Sequence, residues 1–216
     1  MSLPLKDQIV IVSGAGRGLG ATIATAFARE GAKVAINYRA SRERAEALAA
    51  LLGDRAKAFR ADIRKLEDTK RLVAEVTEHF GAPTTLVHNA LADFSFNGDA
   101  RSKLDALSWA EMAIQLETAL QGALNLIQAA RPAMASAGFG RIVTIGTNLF
   151  QNPVVPYHDY TAAKAALLSL TRTAAAELGP LGITVNMVSG GLLRTTDASS
   201  ATPEAVFDII AANTPL

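Results

Sequence analysis

A chain of 216 residues, half of them hydrophobic, is long enough and apolar enough to bury one sizeable α/β core, which excludes a disordered protein. With 21 Lys and Arg against 20 Asp and Glu the net charge is +1, so no field draws the chain to nucleic acid. It has no cysteine for a disulfide or thiolate metal site, and only three histidines without clustered carboxylates, so no metal site is expected.

In chain order, short β-like runs fall at residues 8–13, 33–38, 56–60, 84–88, 141–146 and 183–188. Longer helical patterns fall between them, at 18–30, 41–52, 66–80, 108–137 and 157–178. Ser41 is a good N-cap for the second helix, with Ala45, Leu48, Ala49 and Leu52 on one face. Leu72, Val73, Val76 and Phe80 repeat the pattern before Gly81 stops it. Trp109 is expected to anchor the long fourth helix by packing. The polar stretch 90–107 reads as a surface insertion that lines a pocket. A last helix begins at Thr202-Pro203-Glu204. Repeated β-α-β units imply one domain over 1–216, a parallel sheet covered on both faces. No strand pattern follows Val188, so the sixth strand is expected to be an open sheet edge. The N-terminus lacks a signal-peptide pattern, and no run approaches the roughly 20 apolar residues of a membrane span, so a cytoplasmic protein without membrane attachment is expected.

Two constellations carry chemistry. The first is Ser13-Gly-Ala-Gly-Arg-Gly-Leu-Gly20, directly after an apolar strand and before an Ala-rich helix. Gly14, Gly18 and Gly20 let backbone approach a ligand closely, and the helix starting at Gly18 and Leu19 points its amides at it. A pyrophosphate suits that turn; a glycine turn with no ligand is the plainer alternative. A site for NAD places an acid about 20 residues beyond the glycines, on the ribose hydroxyls. Here that region reads Asn37-Tyr38-Arg39-Ala40-Ser41. Arg39, with Arg17 in the turn, suits a 2′-phosphate instead, which points to NADP(H).

The second is Tyr160-Thr-Ala-Ala-Lys164, with Thr147 thirteen residues before the tyrosine at the end of a strand. Four apart on a helix, Tyr160 and Lys164 share a face. A cation beside a phenol lowers its pKa, and a tuned phenol moves protons to or from a carbonyl oxygen. Tyr160 is therefore read as general acid in reduction and base in oxidation, Lys164 as its tuning cation and ribose contact, and Thr147 as a donor to the substrate oxygen. Asn148 and His158 flank these groups and are candidate substrate contacts. A packed tyrosine, a snorkelling lysine and an ordinary strand-end hydroxyl are the bland alternatives.

Together the glycine turn, the Tyr-x-x-x-Lys pair and the preceding hydroxyl resemble the short-chain dehydrogenase/reductases, in particular 3-oxoacyl-acyl-carrier-protein reductases. The resemblance implies a Rossmann-like doubly wound sheet of order 3-2-1-4-5-6 and a homodimer or homotetramer. It further implies Asp62 and Ile63 beside the adenine, Asn89-Ala90 near the cofactor ribose, Asn186 as a strand-end Asn and Thr195 as a cofactor contact. The usual seventh strand is expected to be absent. The chain departs from the pattern at Thr147 (usually Ser), at Ala119 (usually the asparagine whose carbonyl holds a water leading to the lysine), at His88 and Leu91 (usually Asn and Gly), and at Gly190 (usually Pro). Three functions are open on this reading. One is a carbonyl reductase or alcohol dehydrogenase acting on a small carbonyl or alcohol. The second is a cofactor-binding sensor or scaffold with weakened catalysis. The third is a non-redox enzyme using Tyr160 as an acid. Arg101 and Lys103 alone hardly make a basic patch for an acyl carrier protein.

Overall fold

The computed structural model describes residues 3–92, 94–97, 101–194 and 196–212. Six strands form one parallel sheet: β1 (Ile9–Val12), β2 (Lys33–Tyr38), β3 (Ala56–Arg60), β4 (Thr85–His88), β5 (Gly140–Thr147) and β6 (Ile183–Gly190). Their order is β3-β2-β1-β4-β5-β6, the expected doubly wound topology. The connecting helices are α1 (Gly18–Arg29), α2 (Arg42–Leu52), α3 (Leu66–Phe80), α4 (Trp109–Leu116), α5 (Gly122–Ala137) and α6 (His158–Leu178); α7 (Glu204–Ala212) follows β6.

Strand alternation divides the core in two. Val10 and Val12 of β1 pack with Val34, Ile36, Ala24 and Ala45 on the face covered by α1 and α2. Ile11 points the other way, to Leu72, Leu126, Ile142 and Leu178 under α3, α5 and α6. All six strands therefore end on the same rim, where parallel sheets collect functional loops.

Four expectations need correction. The fourth helix is not continuous: a π-helical turn, Glu117–Gln121, separates α4 from α5, and the Gly122 amide reaches back to the Glu117 carbonyl. Trp109 anchors nothing, being 73% exposed at the first turn of α4. That turn is held instead by a capping box between Ser108 and Glu111. Ser41 makes no side-chain cap to α2; its hydroxyl faces the glycine turn, 2.3 Å from where a Cβ on Gly16 would sit. The stretch after β4 is not merely a surface insertion, because Phe94 within it is buried. Among the described residues no seventh strand pairs with β6, and Val188 on it is 58% exposed.

Gly182 sets the corner between α6 and β6. Its φ is +74°, and a Cβ there would lie 2.2 Å from the Gly138 carbonyl oxygen. Gly182→Ala meets both backbone strain and a backbone clash. It is expected to lower stability by about 1–3 kcal/mol, read as a lower urea midpoint at unchanged m-value.

Candidate active site

The glycine turn folds as a nest between β1 and α1. Gly14 has a φ of +65°, and a Cβ on it would stand 2.8 Å from Ala90 Cα. A Cβ on Gly20 would meet the Gly14 carbonyl at 2.4 Å and Asn89 Nδ2 at 2.5 Å. Glycine is thus required at both positions by the end of β4. Asn89 and Ala90 grip the turn there. The Asn89 side chain donates to the carbonyls of Ser13 (3.1 Å) and Gly14 (3.3 Å), and the Asn89 and Ala90 amides donate to Ser13 Oγ. Gly18, Leu19 and Gly20 form the first turn of α1, which has no side-chain cap and no acidic residue. Its unfilled amides and positive dipole end suit a pyrophosphate.

At the end of β2, Asn37 is buried and spends its amide on the carbonyls of Phe59 and Ala61, so no acid faces a ribose from this position. Arg39 lines a pocket of about 310 Å³ with Arg60, Asp62, Lys65, Asp68 and Arg71. Asp62 is held by Arg64, whose Nη2 lies 2.6 Å from the carboxylate; that bond, reinforced by the charge of Arg39, keeps the acid below its usual pKa. The Ile63 carbonyl is taken by Asn125 (2.8 Å) and Thr69 (3.3 Å), and its side chain is buried. Arg17 is not alone on the rim. Asp197 lies 2.6 Å from Arg44 and 3.5 Å from Arg17, so an anion brought to Arg17 competes with that carboxylate. Neither Arg44 nor Asp197 was marked by any sequence motif. Thr195 lies outside the described residues. Asn186 falls in the middle of β6 rather than at its end.

The three expected reactive groups converge. Thr147 closes β5; its hydroxyl accepts the Leu149 amide at 3.3 Å and lies close enough to the Tyr160 phenol to favour its ionised form. Lys164 is one turn further along α6, its Nζ 5.8 Å from the Tyr160 ring centre and donating to the Ile145 carbonyl at 2.7 Å. All three are buried. Asn148 is exposed, its backbone paired to Gly190, and His158 is half-buried at the first turn of α6.

The electrostatics differ from expectation in one sign. Burial raises the Tyr160 pKa above its ordinary value, and the Thr147 hydrogen bond only partly opposes it. Lys164, itself buried and pushed down to about 8, does not offset that rise. The burial of Tyr160 is aromatic. Phe94 stacks on its ring at 4.8 Å, Phe96 meets it edge-on at 5.6 Å, and Leu91 packs on the same cluster. Leu91, which stands where the family usually has glycine, packs on this cluster. On its outer side Phe94 carries the Arg101 guanidinium at 4.4 Å, and Arg101 pairs with buried Asp159.

The family model described as enoyl-(acyl carrier protein) reductase matches residues 14–216. The chain belongs to the short-chain dehydrogenase/reductase family. It is 32% identical over 213 residues to the 3-oxoacyl-[acyl-carrier-protein] reductase FabG of Staphylococcus epidermidis, covering 97% of this chain and 84% of that one. It is 34% identical over 197 residues to the probable galactose dehydrogenase GalD of Rhizobium meliloti, covering 88% and 73%. Among solved structures, a short chain dehydrogenase from Burkholderia cenocepacia in complex with NADP superposes with a TM-score of 0.84 at 33% identity, over 99% of this chain and 85% of that one. No helix among the described residues is long and apolar enough to cross a membrane.

The depressed lysine has a measurable consequence. Burial holds the Lys164 ammonium down at about 8 in the folded chain, against an ordinary 10.5. Between these values the unfolded chain binds more protons, so stability rises with pH across that window and the penalty is fully present below it. In the ligand-free protein, Lys164→Met is expected to lack this rise, measured as the difference in denaturation midpoint between pH 7.5 and 10.

Proposed function

We propose that the chain is an NADP(H)-dependent oxidoreductase that interconverts a ketone and a secondary alcohol, similar to the 3-oxoacyl-thioester reductases. The observation that carries the reading is the meeting of Thr147, Tyr160 and Lys164 at the end of β5, on the rim that also holds the glycine turn. The donor set fits the cofactor. The α1 amides at Gly18, Leu19 and Gly20 would take the pyrophosphate, with Gly14 giving it room. Arg17 and Arg39 would take the 2′-phosphate, Asp62 and Ile63 would border the base, and Asn89, Ala90 and Thr195 would line the ribose and nicotinamide end. The NADP complex of the Burkholderia relative supports the same choice. When bound, the reduced cofactor supplies hydride to the carbonyl carbon.

The chain's own residues handle the proton. Tyr160, held above its ordinary pKa by burial, keeps its proton at neutral pH, which suits the acid role in reduction. The Tyr160 proton passes to the carbonyl oxygen, and Thr147 donates to that same oxygen as charge grows on it. Lys164, cationic below about pH 8, favours the phenolate left behind. Asn148 and His158 would border the substrate. The FabG and GalD relatives act on different carbonyl classes by name, so the panel for this chain spans acetoacetyl and 2-enoyl thioesters, sugars, steroids and quinones. Trp109, Ile114 and Leu124 on α4 and α5 are exposed, and a homodimer or homotetramer would cover part of such apolar surface.

The sensor reading retains one specific observation: Phe94 covers the phenol, leaving Tyr160 only 6% exposed. The two readings separate cleanly. Tyr160→Phe is expected to abolish NADPH oxidation with every carbonyl of the panel while the NADPH-induced rise in melting temperature persists. A thermal rise without turnover of any panel member by the unmutated protein supports the sensor. A larger shift with NADH than with NADPH overturns the roles of Arg17 and Arg39.

A further inference from the structure

His88 ends β4 directly behind the reactive groups, and the proton chemistry above leaves it unused. It is buried, with both ring nitrogens engaged. Nδ1 lies 3.2 Å from Ser13 Oγ, and Nε2 lies 2.9 Å from the Ala119 carbonyl oxygen.

Counting protons fixes the roles. Ser13 Oγ already accepts two amides, from Asn89 at 3.0 Å and Ala90 at 3.1 Å. Its own proton is left for His88, so Nδ1 accepts. Nε2 must then carry the ring proton, and it faces a carbonyl that can only accept. The opposite tautomer would turn a bare nitrogen lone pair on the Ala119 oxygen. Burial holds the imidazole neutral, depressing its pKa to about 3.

The carbonyl at the far end belongs to the π turn. Widening a helix to i→i+5 bonding disturbs the carbonyl ladder, and the imidazole gives the Ala119 carbonyl a donor from outside the helix. Gly122, closing the turn, makes the space: a Cβ there would lie 3.4 Å from His88 Cε1 and 2.7 Å from Ile63 Cδ1. The π turn in turn packs on α6, which carries Tyr160 and Lys164, and the charge of Lys164 is felt at the His88 ring. An unbroken chain of contacts thus runs from the glycine turn through His88 and Ala119 to the helix of the catalytic pair.

We propose that His88 is a positioning residue of this site: a neutral, Nε2-protonated imidazole that ties the π turn at Ala119 to Ser13 and so holds Lys164 in register with the glycine turn. Only the kinetic arm of the test rests on the reductase reading.

Two variants separate the ends of the ring. His88→Asn places an acceptor near the Nδ1 level and serves Ser13, but falls short of Ala119. His88→Gln reaches the Nε2 level and restores a donor to Ala119. With a ketone drawn from the panel, H88N is expected to lose about tenfold or more in kcat, with KM and NADPH affinity changed less than about twofold, and H88Q to recover most of that loss. An H88N enzyme with the kcat of the unmutated protein overturns the proposal, and so does a parallel collapse of kcat and NADPH affinity in both variants. The second arm needs no turnover. In 15N-imidazole spectra of the whole protein, with the H88Q spectrum identifying the resonance, His88 is expected as a single neutral Nε2–H form with and without NADPH. An Nδ1–H form or a cation at pH 7 overturns the proposal. The Lys164 ε-methylene resonance is expected to move in H88N and return in H88Q; a signal indifferent to both substitutions also overturns it. If no carbonyl is reduced while these spectra behave as expected, the reductase reading falls and the role of His88 in positioning stands.

Discussion

At the point where the strand order reverses, between β1 and β4, one hydroxyl carries three hydrogen bonds. Ser13 Oγ takes the amides of Asn89 and Ala90 and gives its proton to His88. Parallel strands supply no side-to-side bond beyond their ends, so something must hold the two departing loops at a fixed spacing. Ser13 does this with a single oxygen, and the Asn89 amide doubles it through the carbonyls of Ser13 and Gly14. The close approach that results is what forbids a Cβ on Gly14 and Gly20. The glycine pattern is therefore as much a packing requirement of β4 as a provision for phosphate.

That constraint explains which features were legible in the sequence. The six strands and their parallel sense follow from apolar runs alternating with helical spacers, their order from the family resemblance, and they appear as read, with boundaries moved by one or two residues. The nearness of Thr147, Tyr160 and Lys164 was legible because it depends on local geometry: a strand end, and a four-residue spacing on a helix. The features that were missed depend on contacts between distant segments. No spacing rule foretells that Ser41 turns from α2 toward Gly16, or that Asp197 reaches Arg44 across 153 residues of chain. The π turn was hidden because residues 108–137 keep a helical pattern on both sides of it. Trp109 misled for a simpler reason: a large apolar side chain in a first turn was credited with packing that nothing in the fold offers it.

Burial decides the electrostatics of the site. Two groups expected to tune each other, a phenol and an ammonium, are instead shifted in opposite directions by the same apolar surroundings. Each move disfavours charge: the phenol keeps its proton and the lysine sheds its own more readily. The pair is thus held closer to neutrality than in water, and the Lys164 ammonium donates to the Ile145 carbonyl. A charge placed on the phenol would have little water to screen it and the Lys164 ammonium close by, the condition under which an ammonium's field counts most.

The aromatic cover belongs to that balance and links it to the rim. Phe94 is what removes Tyr160 from water, and Phe96 beside it is tied by its backbone to the segment after β6: its amide donates to the Ala198 carbonyl, and its carbonyl accepts from Thr202. Asp197, one residue before Ala198, is the carboxylate paired with Arg17 and Arg44. The segment that carries the aromatic cover and the segment that carries Asp197 are therefore joined by two hydrogen bonds. A substrate that displaces Phe94 works against the same contacts as an anion that displaces Asp197. Whatever free energy one of them spends loosening those bonds, the other no longer has to supply, which is the thermodynamic form of cooperation between two sites.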